Sequence, residues 1–255
     1  MTEHVLIEKA EKILVLTLNR PEKKNALTRA MYKTLATEIS NADADADIRC
    51  ILLLAKGDMF TAGNDLADFA AVGNASAPPV DGNPLLPALA RSRTPIVAAV
   101  NGRSVGVGVT MLLHCDMVFV AEDALLSTPF VNLALVPEAA SSILMPLRIG
   151  HVRAFEMFVL GEPVNAQQAV AWGIANRAVP LADLHRTARA TALAIAARAP
   201  AAVGATKSLM RDEALMLARM SVEGGHFLHQ LKSAEFKEAF AAFTERRPAD
   251  FSKFG

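Results

Sequence analysis

The chain has 255 residues and a mass of 27.2 kDa, enough for one large domain with a substantial buried core. Its 26 lysines and arginines balance 26 aspartates and glutamates, which excludes a general electrostatic footprint for nucleic acid or an anionic membrane. No apolar run approaches the roughly 18 residues of a spanning helix, and neither a leader-like start nor a peroxisomal tripeptide is present. Cys50 and Cys115 lie in apolar surroundings that suit reduced core thiols. The expectation is a soluble cytoplasmic protein without nucleic-acid or membrane partners.

Residues 4–19 alternate as a strand pair, Val5 and Ile7 followed by Ile13, Val15 and Thr17, with residues 8–12 as the turn. A polar loop from Asn19 then leads to Thr28, placed to cap a helix with Met31, Leu35 and Ile39 on one face. Lys23 and Lys24 in that loop are either ordinary solvated charges or contacts for a phosphate. Cys50–Ala55 is a continuous apolar run of strand length, which predicts a strand covered on both faces; residues 95–100, 117–121 and 174–179 repeat the theme without a strict sequence repeat. Residues 72–84, rich in Gly, Ala, Pro and Asn, read as a mobile loop beside the pocket.

From Ala139 the chain turns helical. One amphipathic stretch runs to Leu160, and a further helix over residues 166–172 is capped by Asn165 and stopped by Gly173. Three more follow at residues 181–198, 201–211 and 213–246, the last with Met216, Met220, Phe227 and Leu231 spaced as a core or subunit-contact stripe. The order of elements predicts an α/β fold, with a core over residues 1–195 and a C-terminal helical oligomerisation or cap region over residues 196–255.

Several constellations could carry chemistry. Gly102-Arg103-Ser104-Val105-Gly106 matches the G-x-S-x-G elbow of serine hydrolases, but His226 and His229 fall in a helical pattern and no His-Gly-Gly-Gly loop exists. Glycines at 106 and 108 would let the Val107 N–H approach a ligand oxygen; their alternative role is close packing. Gly63 could aim the N–H of Asn64 into the same space. Two convergent amides would form an oxyanion hole, each donor worth about 3 kcal/mol in a transition state.

The six histidines and two cysteines show no metal-ligand spacing, so no metal site is expected. His114 and Cys115 suit buried structural roles, and Asp65 and Asp68 suit capping of a short helix. Glu138 follows the apolar run from Thr128 and precedes Ala-Ala-Ser-Ser. It either complements a helix N-terminus or serves as a base.

The ordered set Asn19-Arg-Pro-Glu-Lys-Lys-Asn-Ala-Leu, Ala62-Gly-Asn-Asp-Leu, Pro95-Ile-Val-Ala-Ala-Val-Asn-Gly and Arg153-Ala-Phe-Glu-Met-Phe-Val-Leu-Gly-Glu-Pro-Val-Asn-Ala resembles the crotonase, or enoyl-CoA hydratase/isomerase, superfamily. The resemblance covers residues 4 to about 247 and implies a ClpP-like spiral of ββα units, assembled as a homotrimer or a dimer of trimers. It implies an acyl-CoA thioester held by the amides of Asn64 and Val107, with coenzyme A entering as part of the substrate and no separate cofactor. CoA would meet Lys24, Ala26, Leu27, Ala62, Asp65 and Leu66, with Lys237 near the phosphates, and Gly106, Thr110, Phe130 and Pro137 would line the acyl site.

Hydratases of the family carry glutamates where this chain has Thr110 and Phe130. The stretch from Thr128 to Glu138 is instead similar to the Δ3,Δ2-enoyl-CoA isomerases, whose single glutamate corresponds to Glu138. A proton shuttle along the acyl chain is therefore expected, with hydration or another thioester-enolate reaction as the alternative, and a non-catalytic acyl-CoA-binding protein as the alternative of a different class.

Overall fold

The computed structural model describes residues 3–65, 68 and 83–254, so Leu66 and residues 72–82 of the loop expected beside the pocket lie outside the described residues. Strands β1 (Val5–Ala10) and β2 (Ile13–Leu18) form the expected hairpin. Its turn is shorter than residues 8–12: Glu8 and Lys9 pair with Val15 and Leu14, leaving Glu11 and Lys12 at φ 52 and 65. A two-residue turn with both φ positive matches the right-handed twist of the strands.

Helix α1 (Arg29–Ala44) starts at Thr28, whose side chain accepts from Met31 N–H, and buries Met31, Leu35 and Ile39 as its periodicity predicts. Strands β3 (Cys50–Ala55), β5 (Ile96–Val100), β7 (Met117–Ala121) and β10 (Arg177–Val179) extend the hairpin into a sheet ordered β1-β2-β3-β5-β7-β10, parallel from β2 onward. One face packs against α1 and α2 (Leu85–Arg91), with Leu85 and Leu89 buried. Helix α7 (Leu181–Ala196) covers the other, and its Leu184, Ala188, Ala192 and Ala196, four residues apart, meet Val15, Leu52, Val97 and Phe119. Three alanines in that row let the helix axis approach the sheet closely.

A second sheet is ordered β4 (Met59–Thr61), β6 (Arg103–Val105), β8 (Leu125–Ser127) and β9 (Val164–Asn165). Three successive strands of the first sheet are each followed by a short strand of the second: β3 by β4, β5 by β6, β7 by β8. This is the spiral of ββα units that the resemblance implies. Strands of three residues are too short to show a period, which is why the sequence displays a rhythm and no repeat.

Two expected helices are each divided. The stretch from Ala139 to Leu160 is α4 (Ser141–Ile149) and α5 (His151–Val159), separated by Gly150 at φ 85 and ψ 153, outside helical space. The stretch over residues 213–246 is α9 (Glu213–Gln230) and α10 (Ala234–Glu245), because Ser233 adopts extended backbone and caps the Phe236 N–H at 2.9 Å. Between them lie α6 (Ala166–Ala171), with a capping box of Asn165 and Gln168, and α8 (Pro200–Leu209). Met216 packs with Ala90 and Ala140, while Leu231 and Phe236 join the main core. Among the described residues no helix is long and apolar enough to cross a membrane.

Candidate active site

The loop before α1 and the loop after β4 are joined edge to edge. Ala62 N–H donates to Lys24 O at 2.9 Å, Leu27 N–H to Gly63 O at 2.8 Å, and Asp65 N–H to Leu27 O at 3.0 Å. This parallel pairing uses the groups on either side of Asn64, so the Asn64 N–H points off the opposite edge, and no described residue accepts it. Its side chain is fixed as well, since Asn64 Oδ1 accepts from the Tyr32 hydroxyl at 2.6 Å.

The second amide belongs to Val107, the first residue of the short helix α3 (Val107–Thr110), where an N–H has no intrahelical partner. Gly106 precedes it at φ 57 and ψ −116, a conformation suited to glycine alone, with open space around the position of a Cβ. Gly108 does the other job considered for these glycines: a Cβ there would overlap Thr61 Cγ2 and stand 2.7 Å from Ser104 Oγ. A Cβ on Gly63, at φ +88, would lie 3.0 Å from Val105 O. Close approach at Gly63 and Gly108 thus brings the two amide-bearing segments together.

Glu138 reaches the same place. Its Oε1 accepts from the Thr110 hydroxyl at 2.5 Å, and Thr110 is one helical turn from Val107. Burial pushes the Glu138 carboxyl up from 4.5 to about 7; the Thr110 hydrogen bond pulls down and the Glu223 carboxylate adds to the rise. The Phe130 ring is buried, 6.0 Å from that of Phe158, and the chain closes between them and Glu138 by a bond from Leu135 N–H to Phe130 O at 2.8 Å. Pro137, partly exposed, leads into Glu138. A carboxyl near neutrality can take a proton from carbon and return it, and the N–H groups of Asn64 and Val107, which no described residue accepts, are of the kind that holds an oxyanion.

Of the residues expected at CoA, Ala26, Leu27, Ala62 and Asp65 sit on the joined loops. Asp65 is more than a cap: its Oδ2 accepts from Arg20 Nη1 at 2.6 Å in a largely buried ion pair, while Oδ1 accepts from Asp68 N–H at 3.4 Å. Asp68 itself accepts from Arg29 N–H and so caps the long helix α1, not a short one. Lys24 Nζ is on the surface, paired with Asp58 at 2.7 Å. Lys237 is exposed on α10.

Ser104 is fully buried inside β6, which removes the G-x-S-x-G match as a nucleophile. His114 and Cys115 are buried, as expected, and burial brings the His114 imidazole down to about 4. Tyr32, Arg20 and Glu223 were not singled out by the sequence. Tyr32 carried a faint signal as the one tyrosine of the chain on an otherwise aliphatic helix face; Arg20 lies in the motif from Asn19 without a role of its own there, and Glu223 carried no signal.

The sequence pattern of the family described as enoyl-CoA hydratase/isomerase matches residues 8–253. Over 99% of both chains, the sequence is 30% identical to the "1,2-epoxyphenylacetyl-CoA isomerase" of Escherichia coli K12. It is 33% identical, again over 99% of each chain, to a "Probable enoyl-CoA hydratase" of Rhodobacter capsulatus. The crystal structure of an enoyl-CoA hydratase/isomerase from Pseudoalteromonas atlantica T6c superposes with a TM-score of 0.92 at 42% identity, covering 98% of this chain and 100% of that one.

Proposed function

Because the chain belongs to the enoyl-CoA hydratase/isomerase family, we propose that it is a Δ3,Δ2-enoyl-CoA isomerase in which Glu138 is the single proton carrier. The observation that carries this is the contact between Thr110 and Glu138, which sets a partly buried carboxyl with a pKa of about 7 one helical turn from the Val107 amide. The Glu138 carboxylate removes a proton from C2 of a 3-enoyl thioester. The electrons of that C–H bond form the C1–C2 double bond of an enolate, whose oxygen accepts from Asn64 and Val107 N–H. Glu138 then returns the proton to C4 as the double bond settles between C2 and C3.

Thr110 and Phe130 cannot carry a proton at neutral pH, so one carboxyl serves both transfers. CoA enters with the substrate along the joined loops at Lys24, Ala26, Leu27, Ala62 and Asp65, and the scheme needs no cofactor. Exposed apolar side chains at Leu147, Val152, Phe155 and Leu160 support self-association, proposed as a homotrimer or a dimer of trimers. The buried free thiols of Cys50 and Cys115 support a reducing, cytoplasmic setting.

Hydration is the second reading, favoured by the Thr110 hydroxyl as a group able to orient water and by the relative named a probable enoyl-CoA hydratase. Purified protein given a 3-enoyl-CoA and, in a separate reaction, a conjugated 2-enoyl-CoA, both in labelled water, separates the two. Isomerisation gives the conjugated 2-enoyl thioester with no solvent oxygen; labelled oxygen in a 3-hydroxyacyl product selects hydration. Binding of acyl-CoA without turnover of either kind overturns both.

A further inference from the structure

Directly after Glu138, Ala139 and Ala140 both hold left-handed backbone, at φ 62 and 56. Residues with a Cβ resist this conformation, and it persists where surrounding contacts over-determine it. Two side chains supply those contacts. Glu223 Oε2 accepts from Ala140 N–H at 2.6 Å and its Oε1 from Ser142 N–H at 2.9 Å. His114 Nε2 lies 2.8 Å from Ala139 O, and Arg211 Nη2 lies 3.1 Å from His114 Nδ1. A carbonyl requires a donor, so Nε2 carries the hydrogen, and a neutral ring leaves Nδ1 to accept from Arg211. Glu223 is buried and comes from α9, 83 residues from Ala140, while α4 has no capping side chain of its own.

We propose that Glu223 is a positioning residue of this site: its carboxylate clamps the left-handed turn that aims Glu138 toward the two free amides, and it sets a second negative charge behind that side chain. The proposal rests on Glu138 being the proton carrier. Besides the Thr110 hydroxyl, the titratable groups around Glu138 are Tyr32 on α1, His114 before Cys115 and Glu223 on α9, with Arg211 behind His114 and Arg219 acting on Glu223. Burial holds Tyr32 well above its ordinary 10 and brings His114 to about 4, so both rings are neutral around pH 7. Burial raises the Glu223 carboxyl as well, opposed by the bonds it accepts at Ser142 and Ala140 and by Arg219; in its ionised form Glu223 is the negative charge among the described groups that acts on Glu138.

Glu223→Gln removes that charge at constant size. The Glu138 carboxyl signal, followed by 13C NMR in glutamate-labelled protein and assigned with Glu138→Gln, is expected to titrate lower by on the order of half a unit to one unit. The acid limb of kcat/KM moves down with it, and Tm falls. Ala140→Gly, which accepts left-handed backbone without strain, restores part of the lost Tm in the double variant. Where Glu223→Gln alone does not fold, the double variant carries the same titration. An unmoved Glu138 titration and an unmoved acid limb in folded protein overturn the proposal and leave Glu223 a helix cap. A shifted titration alongside full turnover by Glu138→Gln upholds the coupling and instead overturns Glu138 as the proton carrier.

Discussion

The Thr110 hydroxyl lies 2.5 Å from Glu138 Oε1 and 3.4 Å from the Val107 carbonyl oxygen, so its one proton has two acceptors. Toward a carboxylate it donates along the shorter bond. Once Glu138 has gained a proton, the same oxygen can accept from it and turn its hydrogen to Val107. One hydroxyl thus follows the base through both of its states, on the residue pair that also carries an oxyanion donor.

Replacing Thr110 by Val keeps the buried shape and removes the donor. A hydrogen bond to the charged form lowers a carboxyl pKa, so its loss raises that of Glu138, and the acid limb of kcat/KM should move up by about one unit. Thr110→Ser should keep the wild-type limb. A pH–rate series on the three proteins decides it, and an unmoved limb in Thr110→Val would show that the contact does not act on the base.

Glu138→Gln should lower turnover by about 10²–10⁴-fold while leaving acyl-CoA binding in place. Its stability should move the opposite way. The folded carboxyl, at about 7, lies above the ordinary 4.5, so the folded state holds the proton more tightly than the unfolded chain. The resulting cost is absent below about 4.5, accumulates as pH rises toward 7, and is complete above 7, reaching at most about 3 kcal/mol. Urea unfolding at pH 5 and pH 8 should therefore show the variant gaining more on wild type at the higher pH; equal gaps at both would remove the raised pKa.

Gly63→Ala tests the approach of the two amides. The added Cβ would stand 3.0 Å from Val105 O at a residue with φ +88, so both sterics and backbone strain push the Asn64 segment away from Gly106. Loss of one well-placed oxyanion donor costs about 10²–10³ in kcat. Steady-state kinetics beside a thermal melt separate this from general unfolding: kcat should fall by that order in protein that still melts cooperatively.

Much of this was legible from local pattern. The cap at Thr28, the apolar run of β3 and the box at Asn165 each state their element within a few residues. So did the glycines at 63, 106 and 108, whose spacing marks two backbone approaches. Contacts set by the spiral were not legible. Tyr32 meets Asn64 across 32 residues and Glu223 meets Ala140 across 83, and neither leaves a periodicity in its own helix. The divided helices failed for a related reason: Gly150 and Ser233 interrupt patterns whose apolar spacing continues across the break.

The last expectation concerns the joined loops. Arg20 Nη1 donates to Asp65 Oδ2 at 2.6 Å and to Ala26 O at 3.0 Å, so one guanidinium ties the loop before α1 to the loop that carries Asn64. Both partners of the ion pair have side chains about 15% exposed, and screening by solvent is correspondingly weak. Asp65→Asn keeps the shape and removes the charge, which weakens a charge-assisted bond of about 1.5–3 kcal/mol and leaves Arg20 short of a partner. The loops should then hold CoA less well while Glu138 and Thr110 are untouched. KM for the acyl-CoA should rise by about tenfold, with kcat within about twofold of wild type. A fall in kcat at constant KM would instead place Asp65 in the positioning of the Asn64 amide.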